Sequence, residues 1–188
     1  MGHSQAEKAA TRERVLGIAS RKVRQDGMAN PGVAEIMREA GLTHGGFYKH
    51  FASRDELIAQ AAAAALAEEP ETTQGRGDRD KQDEQDRHTR VIDAYLSKEH
   101  RDSPATGCAL VTLGAAAGRG DQPLKEAYEK RVRAYLDRFG GNDSEESRAE
   151  AMLTLSALVG ATLISRAVAD ASLSDELLET VAQQLKEL

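Results

Sequence analysis

The stretch Gly41-Leu42-Thr43-His44-Gly45-Gly46-Phe47-Tyr48-Lys49-His50-Phe51 constrains the fold of this chain more than any other, because one short helix must end and another begin within it. Val33, Ile36, Met37 and Ala40 form an apolar stripe at helical spacing, opened by Asn30 as N-cap with Pro31 in the first helical position and closed by Gly41. Leu42 and Phe47 bracket Thr43 as a hydrophobic staple, which makes Thr43 the N-cap of a second helix starting at His44. Phe47 and Phe51 stand four apart and share one face, leaving Tyr48, Lys49 and His50 on the others. Two short helices across a tight glycine turn are a helix-turn-helix, the arrangement that lays its second helix in a DNA major groove.

The rest of the chain reads as helix too. Only 4% of the 188 residues are aromatic and none is Trp, while Ala, Leu, Glu and Arg abound, which favours helices over sheet. A capping box at Ser4-Gln5-Ala6-Glu7 predicts a first helix to about Asp26, with Val15, Ile18, Ala19 and Val23 on one face and Gly27 as its stop. Ser53-Arg54-Asp55-Glu56 is a second capping box and predicts a helix to about Glu69 through Leu57, Ile58, Ala61 and Ala65. Residues 70–80, with two glycines and hardly an apolar side chain, read as an exposed loop. Further helices are predicted over 81–98, from Pro104 to about Gly118, from an Asp121 cap to Gly140-Gly141, over Ala151–Ala169, and along the stripe Leu173 to Leu185. The count is about nine.

The helix over Ala151–Ala169 is apolar on most faces and so needs cover on all sides. In a domain this small a second copy can supply it through a self-complementary twofold patch. Leu155, Leu158, Val159, Thr162, Leu177 and Val181 are the residues expected at that homodimer interface.

Other features exclude function classes. A single cysteine, Cys108, rules out an intramolecular disulfide framework and a multi-cysteine zinc site, and fits a reducing compartment. Met1 to Gln5 has no charged-then-apolar signal pattern, and the apolar run Ala151 to Ile164 is shorter than a membrane span, so a cytoplasmic protein without a membrane role is expected. The histidines His3, His44, His50, His88 and His100 show no metal-ligand spacing, and Gly114 to Gly120 lacks the Lys-Ser/Thr pair and preceding strand of a phosphate loop. With no nucleophile motif either, no enzyme activity, metal or cofactor is expected. The net charge of −6 is uneven: residues 1–58 hold nine Lys and Arg against seven Asp and Glu, a net +2, whereas the remainder holds sixteen against twenty-four, a net −8. An acidic remainder disfavours random contact with DNA and confines attraction to one face.

The pattern Gly27, Val33, Ile36, Ala40-Gly41-Leu42-Thr43, Phe47-Tyr48-Lys49-His50-Phe51 and Ser53-Arg54-Asp55-Glu56-Leu57 resembles the DNA-binding domain of TetR/AcrR-family transcriptional regulators over roughly residues 8 to 66. That resemblance implies an all-α protein: a three-helix helix-turn-helix domain over residues 1–53 and a larger helical domain over 54–188 for effector binding and dimerisation. It implies a homodimeric repressor that holds double-stranded, pseudo-palindromic operator DNA and is released by a small-molecule effector. An activator of the same fold and a helical protein-interaction module without DNA binding are the alternatives.

Thr43 can give its hydroxyl to a phosphate while capping its helix, and His44 at the helix start can reach base edges. Gly45 and Gly46 each cost a helix roughly 1 kcal/mol relative to Ala, so they need a reason: close approach of DNA, or close packing of helices. The resemblance favours DNA for Gly45. Tyr48, Lys49 and His50 are consecutive phosphate donors, and Arg54 stands where the family often places a basic residue that touches phosphate. Pro31 and Gly32 depart from the pattern, standing where many members carry hydroxyl residues that grip the backbone. Tyr95, Cys108 and Tyr128 would line an effector cavity if their helices surround one, as the resemblance implies; ordinary core is the other reading. Cys108 could also report oxidation if its thiol were acidic.

Overall fold

The computed structural model describes residues 5–69, 82–140 and 144–187. The loop expected over 70–80, the Ser4 cap and Gly141 lie outside the described residues. Among those described there are helices and no strands: α1 Gln5–Asp26, α2 Val33–Glu39, a 3-10 helix His44–Lys49, α3 Arg54–Ala67, α4 Gln82–Tyr95, α5 Lys98–Asp102, α6 Ala109–Arg119, α7 Gln122–Arg138, α8 Glu145–Ala167 and α9 Ala171–Lys186. The all-α expectation is met. The chain falls into two compact units, Met1–Glu68 with Thr112–Tyr128, and Glu69–Val111 with Glu129–Leu188.

In the first unit α1 packs along α3, and α2 braces both α1 and the 3-10 helix. The apolar stripes meet as their spacing predicts: Val15, Ile18, Ala19 and Val23 of α1, Ile36 and Met37 of α2, and Leu57, Ile58, Ala61 and Ala65 of α3 are all buried. Local chemistry sets the ends. Gly27 takes φ 76° and donates to the Val23 carbonyl at 3.0 Å, stopping α1. At the end of α2, Gly41 takes φ 72°, its N–H reaching Arg38 O at 3.0 Å and that of Leu42 reaching Met37 O at 2.8 Å, the paired bonds of a Schellman motif. Ser53 caps α3, its Oγ accepting the Glu56 N–H at 3.1 Å while the Glu56 carboxylate accepts the Ala52 N–H at 2.6 Å. The buried Arg24 pairs with Glu68 at the far end of α3, and Thr112 Oγ1 of α6 donates to the Arg24 carbonyl at 2.7 Å.

Two expectations in this unit are corrected. Asn30 does not cap α2: the helix starts at Val33 behind Gly32, with no side-chain cap, and the Asn30 amide instead donates to Asp26 O at 3.2 Å. The second helix of the motif is 3-10 rather than α, with Gly46 N–H bonded to Thr43 O and His50 N–H to Phe47 O. Two adjacent glycines weaken the longer α-helical ladder.

In the second unit α8 packs on α9, α9 on α4, and α5 on α8. The single helix expected over 81–98 is two, because Ser97 breaks it: its hydroxyl donates to Ala94 O at 2.8 Å and accepts the His100 N–H at 3.1 Å, ending α4 and capping α5. Pro104 lies in a turn, and α6 starts later, at Ala109. Asp121 caps α7 as expected, accepting the Leu124 N–H at 3.2 Å. α8 starts earlier than expected, at a Ser144 cap, and its 23 residues make it long and apolar enough to cross a membrane by length and composition. Its first turns, however, carry Glu145, Glu146, Arg148 and Glu150, and one side is buried against α9.

Candidate nucleic-acid interface

Two rings hold the 3-10 helix from behind. Phe47 and Phe51 are each 2% exposed and stack with centroids 5.7 Å apart, and the Arg12 guanidinium of α1 lies 4.8 Å from the Phe51 ring centre. Each buried Phe contributes roughly 1.5–3 kcal/mol, and so orients a helix too short to be stable alone. The opposite side is open. Tyr48 is 72% exposed, and Thr43, His44, Gly45 and Lys49 are exposed with it. Thr43 occupies the N-cap position with extended backbone, but the side-chain bond expected of a cap is not formed. Its hydroxyl is thus not committed to the helix end.

The two glycines do not serve internal packing. A Cβ on Gly45 would meet nothing within 4 Å, and one on Gly46 would make ordinary contact with Met37 Cε at 3.7 Å and Thr43 Oγ1 at 3.8 Å. Neither has positive φ. Of the two reasons open for Gly45, close helix packing finds no neighbour, and approach by an outside partner stands.

His50 differs from the residues beside it. It is half-buried, its Nδ1 has no hydrogen-bond partner among the described residues, and burial, with Lys8, Lys49 and Arg12 nearby, holds its pKa below the usual imidazole value. It enters the site at neutral pH as an uncharged imidazole. Arg54 has work inside the chain: its guanidinium donates to the carbonyls of Ala29 at 2.8 Å and Met28 at 3.3 Å, tying α3 to the turn ahead of α2.

Sequence order did not reveal the other side of the site. The 3-10 helix and the N-terminal half of α1 enclose an open groove of about 690 Å3, where Lys8, Thr11 and Arg14 face Thr43, Tyr48, Lys49 and His50, with Glu7 as its carboxylate. Among the described residues Lys8, Arg14 and Lys49 form no ion pair. The cations further along α1 are neutralised by α2, with Lys22 Nζ 2.7 Å from Glu35 and Arg21 3.3 Å from Glu39. Uncompensated positive charge therefore gathers beside the exposed helix, where it would attract an anionic partner.

In the second unit Tyr95 and Cys108 come together, joined by His100 and Tyr135, which sequence reasoning did not single out. His100 Nδ1 lies 2.6 Å from Tyr95 O and must donate to it, while Nε2 accepts the Cys108 N–H at 3.1 Å, so backbone groups fix a neutral tautomer. Burial pushes its pKa down to about 4. Tyr135 donates its hydroxyl to Cys108 Sγ at 3.4 Å, and the Tyr95 hydroxyl is buried with no partner at hydrogen-bonding geometry among the described residues. Burial raises the pKa of both phenols. Arg166 of α8 caps the C-terminal end of α5, donating to the carbonyls of His100 at 2.7 Å and Arg101 at 2.8 Å. Gly107 admits this arrangement, since a Cβ there would come within 2.9 Å of His100 Nε2. Cys108 is itself buried, which denies an oxidant ready access to the thiol. Tyr128 belongs to the first unit, where its hydroxyl faces Gly114.

The residues expected at a homodimer interface lie on α8 and α9 with differing burial. Leu155, Leu158 and Thr162 are buried within the subunit, and Val159, Leu177 and Val181 are partly so. The apolar side chains left in the open are Met152, Leu153, Leu163 and Ile164 of α8 and Leu173 of α9, all between 44% and 54% exposed.

The family described as bacterial regulatory proteins, tetR family, matches residues 19–61, from the middle of α1 into α3. No curated protein matches the chain. Its fold is that of solved TetR regulators. One from Chloroflexus aurantiacus aligns with TM-score 0.74 at 19% identity over 97% of this chain and 96% of its own. The reduced form of Escherichia coli NemR aligns with TM-score 0.69 at 20% identity over 95% and 96%, and a TetR-family regulator from Cytophaga hutchinsonii with TM-score 0.69 at 16% identity over 100% and 98%. Residues 19–61 thus carry the N-terminal pattern of the tetR family on an exposed, aromatic-backed helix, and the fold along the chain is the one its solved members share.

Proposed function

We propose that the protein is a cytoplasmic DNA-binding transcriptional regulator that acts as a homodimeric repressor and leaves its operator when a small-molecule effector binds. One observation carries this reading: the short helix His44–Lys49 buries Phe47 behind it and leaves Thr43, His44, Gly45, Tyr48 and Lys49 bare on a side flanked by Lys8 and Arg14, which form no ion pair among the described residues. Such a surface suits a polyanion, with backbone donors for phosphates and a glycine where base edges approach.

In this reading residues 1–53 hold the DNA reader and 54–188 the effector and dimer functions. The open row Met152, Leu153, Leu163, Ile164 and Leu173 supports a twofold interface, because an apolar stripe on a long helix gains most when a second copy covers it. Gly160 in the same stretch has open space above it, which allows a partner helix close approach. The Tyr95–Cys108–Tyr135 cluster supports an effector site, since the Tyr95 hydroxyl, without a hydrogen-bond partner among the described residues, would reward a ligand bearing an acceptor.

Fluorescence titration of the full chain against duplexes from the promoter region beside its gene tests the reading. Tight binding that weakens steeply with salt is expected; absent or salt-insensitive binding would sink it.

A further inference from the structure

The wall of α1 that faces the 3-10 helix carries two cations, Lys8 and Arg14, that no ion pair among the described residues uses. Glu7, Thr11 and Arg14 follow one stripe of α1 at i, i+4 and i+7, with Lys8 at its edge, and all four line the groove opposite Tyr48 and Lys49. Lys8 and Arg14 are exposed and without ion pairs among the described residues, in contrast to Lys22 and Arg21 further along the same helix. Six residues of helix set them about 9 Å apart along the axis, far enough to address different phosphates. α1 is held in place, because it packs along α3 and Arg12 lies against the Phe51 ring that anchors the reader. A cation held on such a scaffold loses little entropy on binding.

We propose that Lys8 and Arg14 of α1, with Thr11 between them, form a second phosphate-gripping wall that clamps the DNA backbone against the recognition helix. The partner is duplex DNA, recognised here through its sugar-phosphate backbone and not its bases. This rests on the DNA-binding reading of residues 43–49 and adds to it a helix that the motif does not include. Backbone contacts position a reader without carrying sequence information, so α1 would set how firmly and in what register the 3-10 helix sits. Glu7, the groove's carboxylate, opposes the grip.

The test uses the full-length chain, duplexes tiling the DNA upstream of its gene, and an unrelated duplex of the same length. Each phosphate contact contributes about 0.9 to the slope of log affinity against log salt. K8Q/R14Q is expected to lower that slope by about 1.8, and to weaken operator and unrelated duplex by similar factors. E7Q is expected to tighten binding to both, a gain that a folding defect cannot produce. A slope in K8Q/R14Q equal to that of the wild type, or an E7Q variant that fails to bind more tightly, overturns the α1 wall while leaving the regulator reading in place. Wild-type protein that binds no duplex in a salt-dependent way overturns both.

Discussion

A methyl group added at Gly45 would touch nothing in the chain, and the residue's φ is not positive. Gly45→Ala is therefore expected to keep the fold and to raise stability by about 0.4–1 kcal/mol, mainly by restricting the unfolded chain. The same methyl would stand on the face offered to DNA, so operator affinity should fall at least severalfold. Thermal unfolding paired with a DNA titration checks this; an Ala variant with undiminished affinity would remove DNA approach as the reason for the glycine. His100 gives a prediction about pH. Its imidazole titrates at about 4 in the fold and near 6.5 when unfolded, so the folded state favours the neutral ring. Its contribution is complete above pH 6.5 and is lost as pH falls towards 4, up to roughly 3 kcal/mol. Urea midpoints for the wild type and His100→Gln at pH 7 and near pH 4.5 isolate this loss from that of paired carboxylates such as Asp102 and Asp175, which both proteins share. An equal pH dependence in the two would refute it. At this scale the exposed row of the reader was legible, because Phe47 and Phe51 four apart fix which neighbours face outward. Lys8 and Arg14 were not, since only the fold brings them opposite Lys49. Nor was the commitment of Arg54 to two carbonyls far back in the sequence.

Helix ends were legible where one residue type has a single dominant use. Gly27 and Gly41 stop α1 and α2 with positive φ, and Ser53 with Glu56 starts α3. Serine and asparagine elsewhere were ambiguous, because the same side chain can break a helix, cap the next one or brace a turn. Ser97 breaks and caps at once, and Asn30 braces the turn that it was expected to end. α8 shows a different limit. A helix apolar on most sides announces that it is covered but not by what, and of the six residues expected at the interface Leu155, Leu158 and Thr162 are buried in the subunit's own core. The apolar side chains of α8 that stay open are Met152, Leu153, Leu163 and Ile164. Leu163→Glu is expected to leave the subunit folded, since the side chain is about half exposed, and to convert a dimer into monomers in sedimentation at micromolar concentration. A like charge from each copy would meet near a twofold axis without a partner. A Leu163→Glu protein that remains dimeric would place the interface elsewhere.

The molecule as proposed joins a DNA reader, a twofold contact and an effector site in one chain. An effector can act only through its differential affinity for the two states: a hundredfold loss of operator affinity requires about 2.7 kcal/mol of coupling. Fold class was legible from composition and period, and the reader from its motif. The proposed effector site was half legible, because Tyr95 and Cys108 are conspicuous residue types while His100 and Tyr135 join them only through packing. The central claim is that two copies present two exposed 3-10 helices to one duplex. Footprinting the full-length protein on the DNA beside its gene, at a stoichiometry fixed by sedimentation, tests that claim most directly. The account predicts two chains on a pseudo-palindrome whose half-sites lie about 34–36 Å apart, with protection lost as salt rises; protection of no site, or of a single half-site by one chain, would contradict it.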